Sequence, residues 1–139
     1  HSIKMSKTIE EDIVINGMPI LNFNVLNKSF KSFMTVSAWI VRPDRSTFKL
    51  HSMSYDSIRT GHFFDEETLN QYVSGKITLY PSVHRVSKGS KIVLKLSTRL
   101  FHNIDFFMHQ REEFYSQNGD GSIEFPAAEN SIQLLLPVE

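Results

Sequence analysis

Met34-Thr35-Val36-Ser37-Ala38-Trp39-Ile40-Val41 runs directly into Arg42-Pro43-Asp44-Arg45-Ser46. Met34, Val36, Ala38 and Ile40 alternate with Thr35, Ser37, Trp39 and Val41, and a period of two places the two sets on opposite faces of a β-strand. Pro43 presets its own φ and Asp44 can bond to backbone beyond it, so a tight turn is expected before a second strand from about Thr47 to Ser54. The stretch therefore predicts a β-hairpin.

The same grammar extends in both directions. Upstream, Leu21, Phe23 and Val25 alternate with Asn22 and Asn24, and the 27–32 segment, polar except for Phe30, reads as a short loop joining two antiparallel strands. Downstream, Ile77-Thr78-Leu79-Tyr80 leads through Pro81 to a strand from Val83 to Val86. Lys88-Gly89 then turns the chain into Lys91 to Ser97, where Ile92, Leu94 and Leu96 share a face, and a further hairpin is expected. Asn118-Gly119-Asp120-Gly121 offers a tight turn ahead of Ile123-Glu124-Phe125. At the two ends, Thr8 to Ile20 and Asn130 to Glu139 read as the first and last strands of one unit. One segment reads as helical, near residues 65–74, with Asp65 as a cap, acids in the first turn and Gly75 to end it. Many short strands broken by Pro and Gly, with no βαβ alternation, predict an all-β jelly-roll sandwich over residues 1–139 as a single domain.

Composition sets outer bounds. At 139 residues the chain is of single-domain size, and 40% hydrophobic with 22% charged content suits a folded globule. Fifteen basic and fifteen acidic residues cancel, and no strand concentrates positive charge, which argues against nucleic acid as a partner. There is no cysteine, so disulfides and thiolate metal sites are excluded. Apolar runs are far too short for a transmembrane helix and no secretory segment is evident, so a soluble chain without membrane contact is expected. His1-Ser2 resembles a remnant of tag cleavage, and the chain reads as a piece of a longer protein.

Candidate chemistry is sparse. No G-x-S-x-G places a serine on a strand-to-helix turn, and His1, His51, His62, His84, His102 and His109 show neither H-x-H nor H-E-x-x-H spacing. No cofactor or metal is expected, and no catalytic residue. Trp39, beside Thr35 and Ser37, reads either as a platform for a sugar ring, with Tyr55 or Tyr80 adding polar tips, or as a packed side chain at a domain contact. Phe63 and Phe64 read either as core cover or as a docking patch. Asn27-Lys28-Ser29 matches a glycosylation sequon, a triplet that arises readily by chance.

Taken in order, these segments resemble the C-terminal β-sandwich domain of the X-Pro dipeptidyl-peptidase and cocaine-esterase-like (CocE/NonD) serine hydrolases. Glu11-Asp12-Ile13-Val14-Ile15-Asn16-Gly17-Met18-Pro19 resembles the opening acidic strand, and Trp39 to Ser46 resembles the following strand and its Pro-Asp turn. Arg59 falls where an arginine commonly ends the next strand. Lys76 to Ile92 is similar to the stretch in which a strand, a proline and a Lys-Gly turn precede a long core strand, and Ser131 to Val138 is similar to the final strand. The family often has an extended crossover where the helix near 65–74 is expected.

The resemblance implies a galactose-binding-like jelly roll appended to an α/β-hydrolase, whose nucleophile, acid and base lie in another domain. The implied role is a non-catalytic accessory domain that packs on the catalytic domain of the same parent chain, a peptidase or esterase, and shapes its substrate cleft. Trp39, Arg59, Phe63 and Phe64 are the candidate ligand or interdomain contacts. Homo-oligomerisation is left open. The alternative is a carbohydrate-binding module on the same scaffold, and a third reading is a domain that serves only to bind a protein partner.

Overall fold

Ten strands and one short 3-10 helix make up the computed structural model, which describes residues 2–28, 33–56, 64, 66–98 and 123–139. The strands are β1 (Ser2–Thr8), β2 (Ile13–Gly17), β3 (Ile20–Asn27), β4 (Phe33–Val41), β5 (Thr47–Asp56), β6 (Tyr72–Thr78), β7 (Ser82–Val86), β8 (Lys91–Ser97), β9 (Ile123–Glu124) and β10 (Gln133–Leu135), with the 3-10 turn at Glu129–Ser131. All named pairings are antiparallel. The expected all-β sandwich is what forms, and among the described residues no sheet closes into a barrel.

One layer has the order β1-β8-β4-β5. The second layer contains β10-β3-β6, with β9 also paired to β3, and the two-stranded β2-β7 sheet. The last residues stitch these two sheets together. The Asn16 amide donates to the Pro137 carbonyl at 2.8 Å, the Glu139 amide donates to the Val14 carbonyl at 3.0 Å, and Ile15 bridges Val138. Having paired with β3 at Gln133–Leu135, the chain thus becomes the neighbour of β2 a few residues later. The two expected end strands are neighbours in space, although β1 lies ahead of the stretch read as the first strand.

Period-two burial builds the core. Met34, Val36, Ala38 and Ile40 have no exposed surface; Leu94 and Leu96 of β8 are buried beside them in the same layer, and Leu21, Phe23, Val25 and Ile77 are buried in the other. Fully burying one such aliphatic side chain contributes about 1.5–3 kcal/mol, so these rows dominate stability. The β4–β5 hairpin forms as expected. Asp44 accepts from the Ser46 amide at 2.9 Å and from its hydroxyl at 2.6 Å, and these two bonds hold the Asp44 carboxyl below the ordinary carboxylate range. Gly89 sits at φ 90°, as the Lys88-Gly89 turn requires.

Three expectations need correction. First, β3 and β4 do not pair: β3 lies in one layer and β4 in the other. Second, β7 and β8 are not a hairpin, since β7 pairs with β2 while β8 lies between β1 and β4. Alternation assigns faces, and it is silent on which strand lies alongside. Third, among the described residues the expected helix near 65–74 does not form. Residues 66–71 make successive turns, Asn70 takes φ 61°, and Tyr72–Thr78 is strand β6. The end of β3 captures this backbone: the Asn27 carbonyl accepts from the Asn70 amide at 2.7 Å, and the Asn27 amide donates to the Gln71 carbonyl at 3.0 Å. Pairing with β3 overrides a local helical preference worth only tenths of a kcal/mol per residue. The Asn118 to Gly121 turn lies outside the described residues.

Candidate functional site

Of the four candidate contact residues, Trp39 and Phe64 fall within the described residues, and the fold separates them. Phe64 is 0% exposed in the core, its ring centroid 6.1 Å from that of Phe23. It is core cover. Trp39 is on the opposite face of β4 from the core row, half-buried, in register with Lys49 on β5 and Val93 on β8. Its row-mates Thr35 and Ser37 are each 1% exposed, so this row is not the flat open platform on which a sugar ring stacks. Burial also pushes the Lys49 ammonium down to about 8. Arg59 and Phe63 lie outside the described residues.

Two histidines that composition left open have definite roles. His51 is 1% exposed on the inner face of β5. Its Nδ1 accepts the Tyr80 backbone N–H at 2.9 Å, which places the ring proton on Nε2, 2.8 Å from the Tyr55 hydroxyl that accepts it. The Tyr80 ring lies 4.0 Å from the imidazole, and its hydroxyl donates to the Ser52 carbonyl at 3.0 Å. Both nitrogens of the neutral ring are therefore engaged, and burial pushes its pKa down to about 4. The cluster clamps the β6–β7 connection onto β5. Tyr55 and Tyr80 thus spend their polar tips on the fold rather than on a ligand.

This clamp has a pH signature. An unfolded histidine titrates near 6.5 and the folded one near 4, so between those values the unfolded chain binds more protons and stability falls as pH falls. The contribution is complete above pH 6.5, and roughly 2–3 kcal/mol of it is lost on acidification to about pH 4. Urea midpoints compared between His51→Leu and the parent chain isolate this from carboxylate titration. The variant is expected to be less stable at neutral pH and to have a shallower decline from pH 6.5 to 4.5; equal slopes would contradict the assignment.

His84, on β7, stacks on Phe48 with ring centroids 4.0 Å apart and planes 7° from parallel. Its Nε2 lies 3.3 Å from an Arg42 guanidinium nitrogen, which can only donate, so His84 accepts there with its proton on Nδ1. Burial and the Arg42 charge both push its pKa down. A general base needs a lone pair within reach of a substrate proton. In both histidines that lone pair is already taken, by a backbone amide in one and a guanidinium in the other.

The sequon asparagine is occupied too. Asn27 is 0% exposed and its side-chain amide donates to the Thr68 hydroxyl at 2.9 Å, leaving no room for a glycan in the folded domain. Among the described residues no group of three or more His, Asp or Glu could hold a metal ion, and no helix is long and apolar enough to cross a membrane.

With this geometry established, comparison with known proteins adds one finding. No family model matches the chain, and no curated protein does. Solved structures do. An α-amino acid ester hydrolase superposes with a TM-score of 0.70 at 13% identity, over 99% of this chain and 25% of its own. A CocE/NonD family hydrolase from Staphylococcus aureus gives 0.66 at 14% identity, over 99% and 30%, and an aminopeptidase from a marine sediment Thaumarchaeota archaeon gives 0.65 at 12%, over 99% and 26%. The fold is that of one portion of these hydrolases. The whole chain is accounted for by that portion, and it spans less than a third of each of the hydrolase chains.

Proposed function

We propose that this chain is the non-catalytic C-terminal accessory domain of an α/β-hydrolase of the X-Pro dipeptidyl-peptidase or acyl-esterase type, packing on the catalytic domain and shaping its substrate cleft. The observation that carries this reading is the asymmetric coverage: 99% of this chain against 25–30% of the first two hydrolases it superposes on. Sequence order supports it, since the opening acidic strand, the Pro-Asp turn and the Lys-Gly turn occur in the family's succession. The engaged imidazoles of His51 and His84 support it from the chemical side.

The two ends of the sandwich differ in a way that suggests where the contact lies. At one end the strands are joined by tight turns at 42–46 and 87–90. At the other, register brings together Phe33 with Asp56 and Thr35 with Ser97 in one layer, and Asn27 with Ile123 and Leu26 with Tyr72 in the other. β5 and β8 both finish at this second end, and β6 and β9 both begin there. Segments that leave strand ends on a rigid scaffold are where recognition concentrates, and Arg59 and Phe63 follow β5 in sequence. The catalytic domain, on this reading, meets that end.

A direct test is to treat the isolated 139-residue chain with a serine-directed fluorophosphonate and to assay it with an acyl ester and an X-Pro anilide. Neither labelling nor turnover is expected. Stoichiometric labelling coupled to turnover would overturn the non-catalytic assignment.

A further inference from the structure

We propose that the cleft between β1 and the 130–136 segment is a binding site for a medium-chain fatty carboxylate. The cleft opens between the layers, along β1 at the end of its sheet among the described residues, with a volume of about 440 Å³. That lies within the roughly 300–1,000 Å³ typical of small-molecule sites. Its walls are Met5, Ile9, Ile92, Leu94, Ile132, Leu134 and Leu136. These are flexible or branched aliphatic side chains with no ring among them, a surface suited to a hydrocarbon chain rather than to a planar or hydroxylated ligand.

The charge comes from register. Met5 lies opposite Leu94 and Lys7 opposite Ile92, so Lys7 shares the inward-facing row of β1 with the residues that line the cleft. An inward lysine on an edge strand also discourages pairing with a second chain, and that is the ordinary reading of Lys7. The aliphatic wall, however, continues beyond it through Ile9 and Leu136, and the remaining polar lining consists of Ser6, Asn130 and Gln133. No acidic side chain stands among the described lining residues. A single cation flanked by neutral hydrogen-bonding groups, at an otherwise aliphatic cleft, fits one carboxylate with its chain laid along Leu94, Ile132 and Leu134. This site does not depend on the accessory-domain reading.

The test is a titration of the 139-residue chain with decanoate and, separately, decanol, followed by calorimetry and by methyl NMR shifts. Saturable one-to-one binding of decanoate is expected, with shifts confined to Met5, Leu94, Ile132, Leu134 and Leu136. Lys7→Glu, an exposed substitution that leaves the fold intact, should weaken decanoate about tenfold and leave decanol unchanged. Leu134→Trp should abolish binding of both. Unsaturable binding, shifts elsewhere, or equal affinity of Lys7→Glu for decanoate would overturn the proposal. So would a dimer of the parent chain that Lys7→Glu strengthens, since a second copy would then be the occupant of the cleft.

Discussion

Removing residues 133–139 is expected to unfold the domain rather than merely trim it. The deleted segment is the only backbone described between β3 and β2: it pairs with β3 through Gln133, Leu134 and Leu135 and with β2 through Pro137, Val138 and Glu139. Its loss strips β3 and β2 of one neighbour each and removes Leu134 and Leu136, both packed against the core. At about 1–2 kcal/mol for each partly buried leucine and about 1 kcal/mol for each lost backbone hydrogen bond, the total approaches the ~5–15 kcal/mol that holds a small domain together. Far-UV circular dichroism and amide dispersion should show a largely unfolded chain at 25 °C. A cooperative transition within a few degrees of the parent's would contradict the stitched layer.

Gly75→Val is expected to cost about 3 kcal/mol, although a valine in place of glycine would ordinarily suit a β-strand. Gly75 lies opposite Phe23 in the β3–β6 register, and the Phe23 ring covers the position where a side chain would be. A Cβ there would stand 2.4 Å from Phe23 Cζ and 2.8 Å from Cε1. Replacing glycine relieves the unfolded state of at most about 1 kcal/mol of entropy, whereas overpacking a core costs about 1–3 kcal/mol or more, so the steric term wins. Phe23 has little room to yield, being 3% exposed and packed near Phe64. A double-mutant cycle measures this: on a Phe23→Ala background Gly75→Val should be close to neutral or stabilising, and an undiminished cost there would show that the ring is not the obstacle.

How much of this was legible from sequence depends on range. The faces of β3, β4 and β8 followed from alternation because burial on one side of a sheet imposes a period of two, and the Pro43-Asp44 turn followed from local backbone chemistry. Partners did not. Whether β4 lies beside β3 or β8 is decided by packing between layers, and the two choices leave the same residues buried. The helix expected near 65–74 failed for a related reason: Asn27 supplies the backbone groups that Asn70 and Gln71 bond, and nothing near residue 70 announces it.

The candidate site was less legible still. Trp39 stood out as a tryptophan alternating with the apolar row, but its half-buried setting reflects neighbours on two other strands. His51 and Tyr55 could have been paired, since residues four apart on a strand share a face, but Tyr80, which completes the clamp, arrives from the other layer. Phe64 was ambiguous between core and docking patch until the Phe23 contact settled it as core. Lys7 passed unnoticed in an alternating strand because only the β1–β8 register reveals that it belongs to the inward row.

The central claim is tested most directly with the longer hydrolase from which such a domain would derive, assayed with and without residues 1–139. Omitting the domain should lower kcat/KM by at least tenfold, and adding the separate 139-residue chain should restore part of it with saturable dependence on concentration. Unchanged kcat/KM and unchanged thermal stability without the domain would contradict the account.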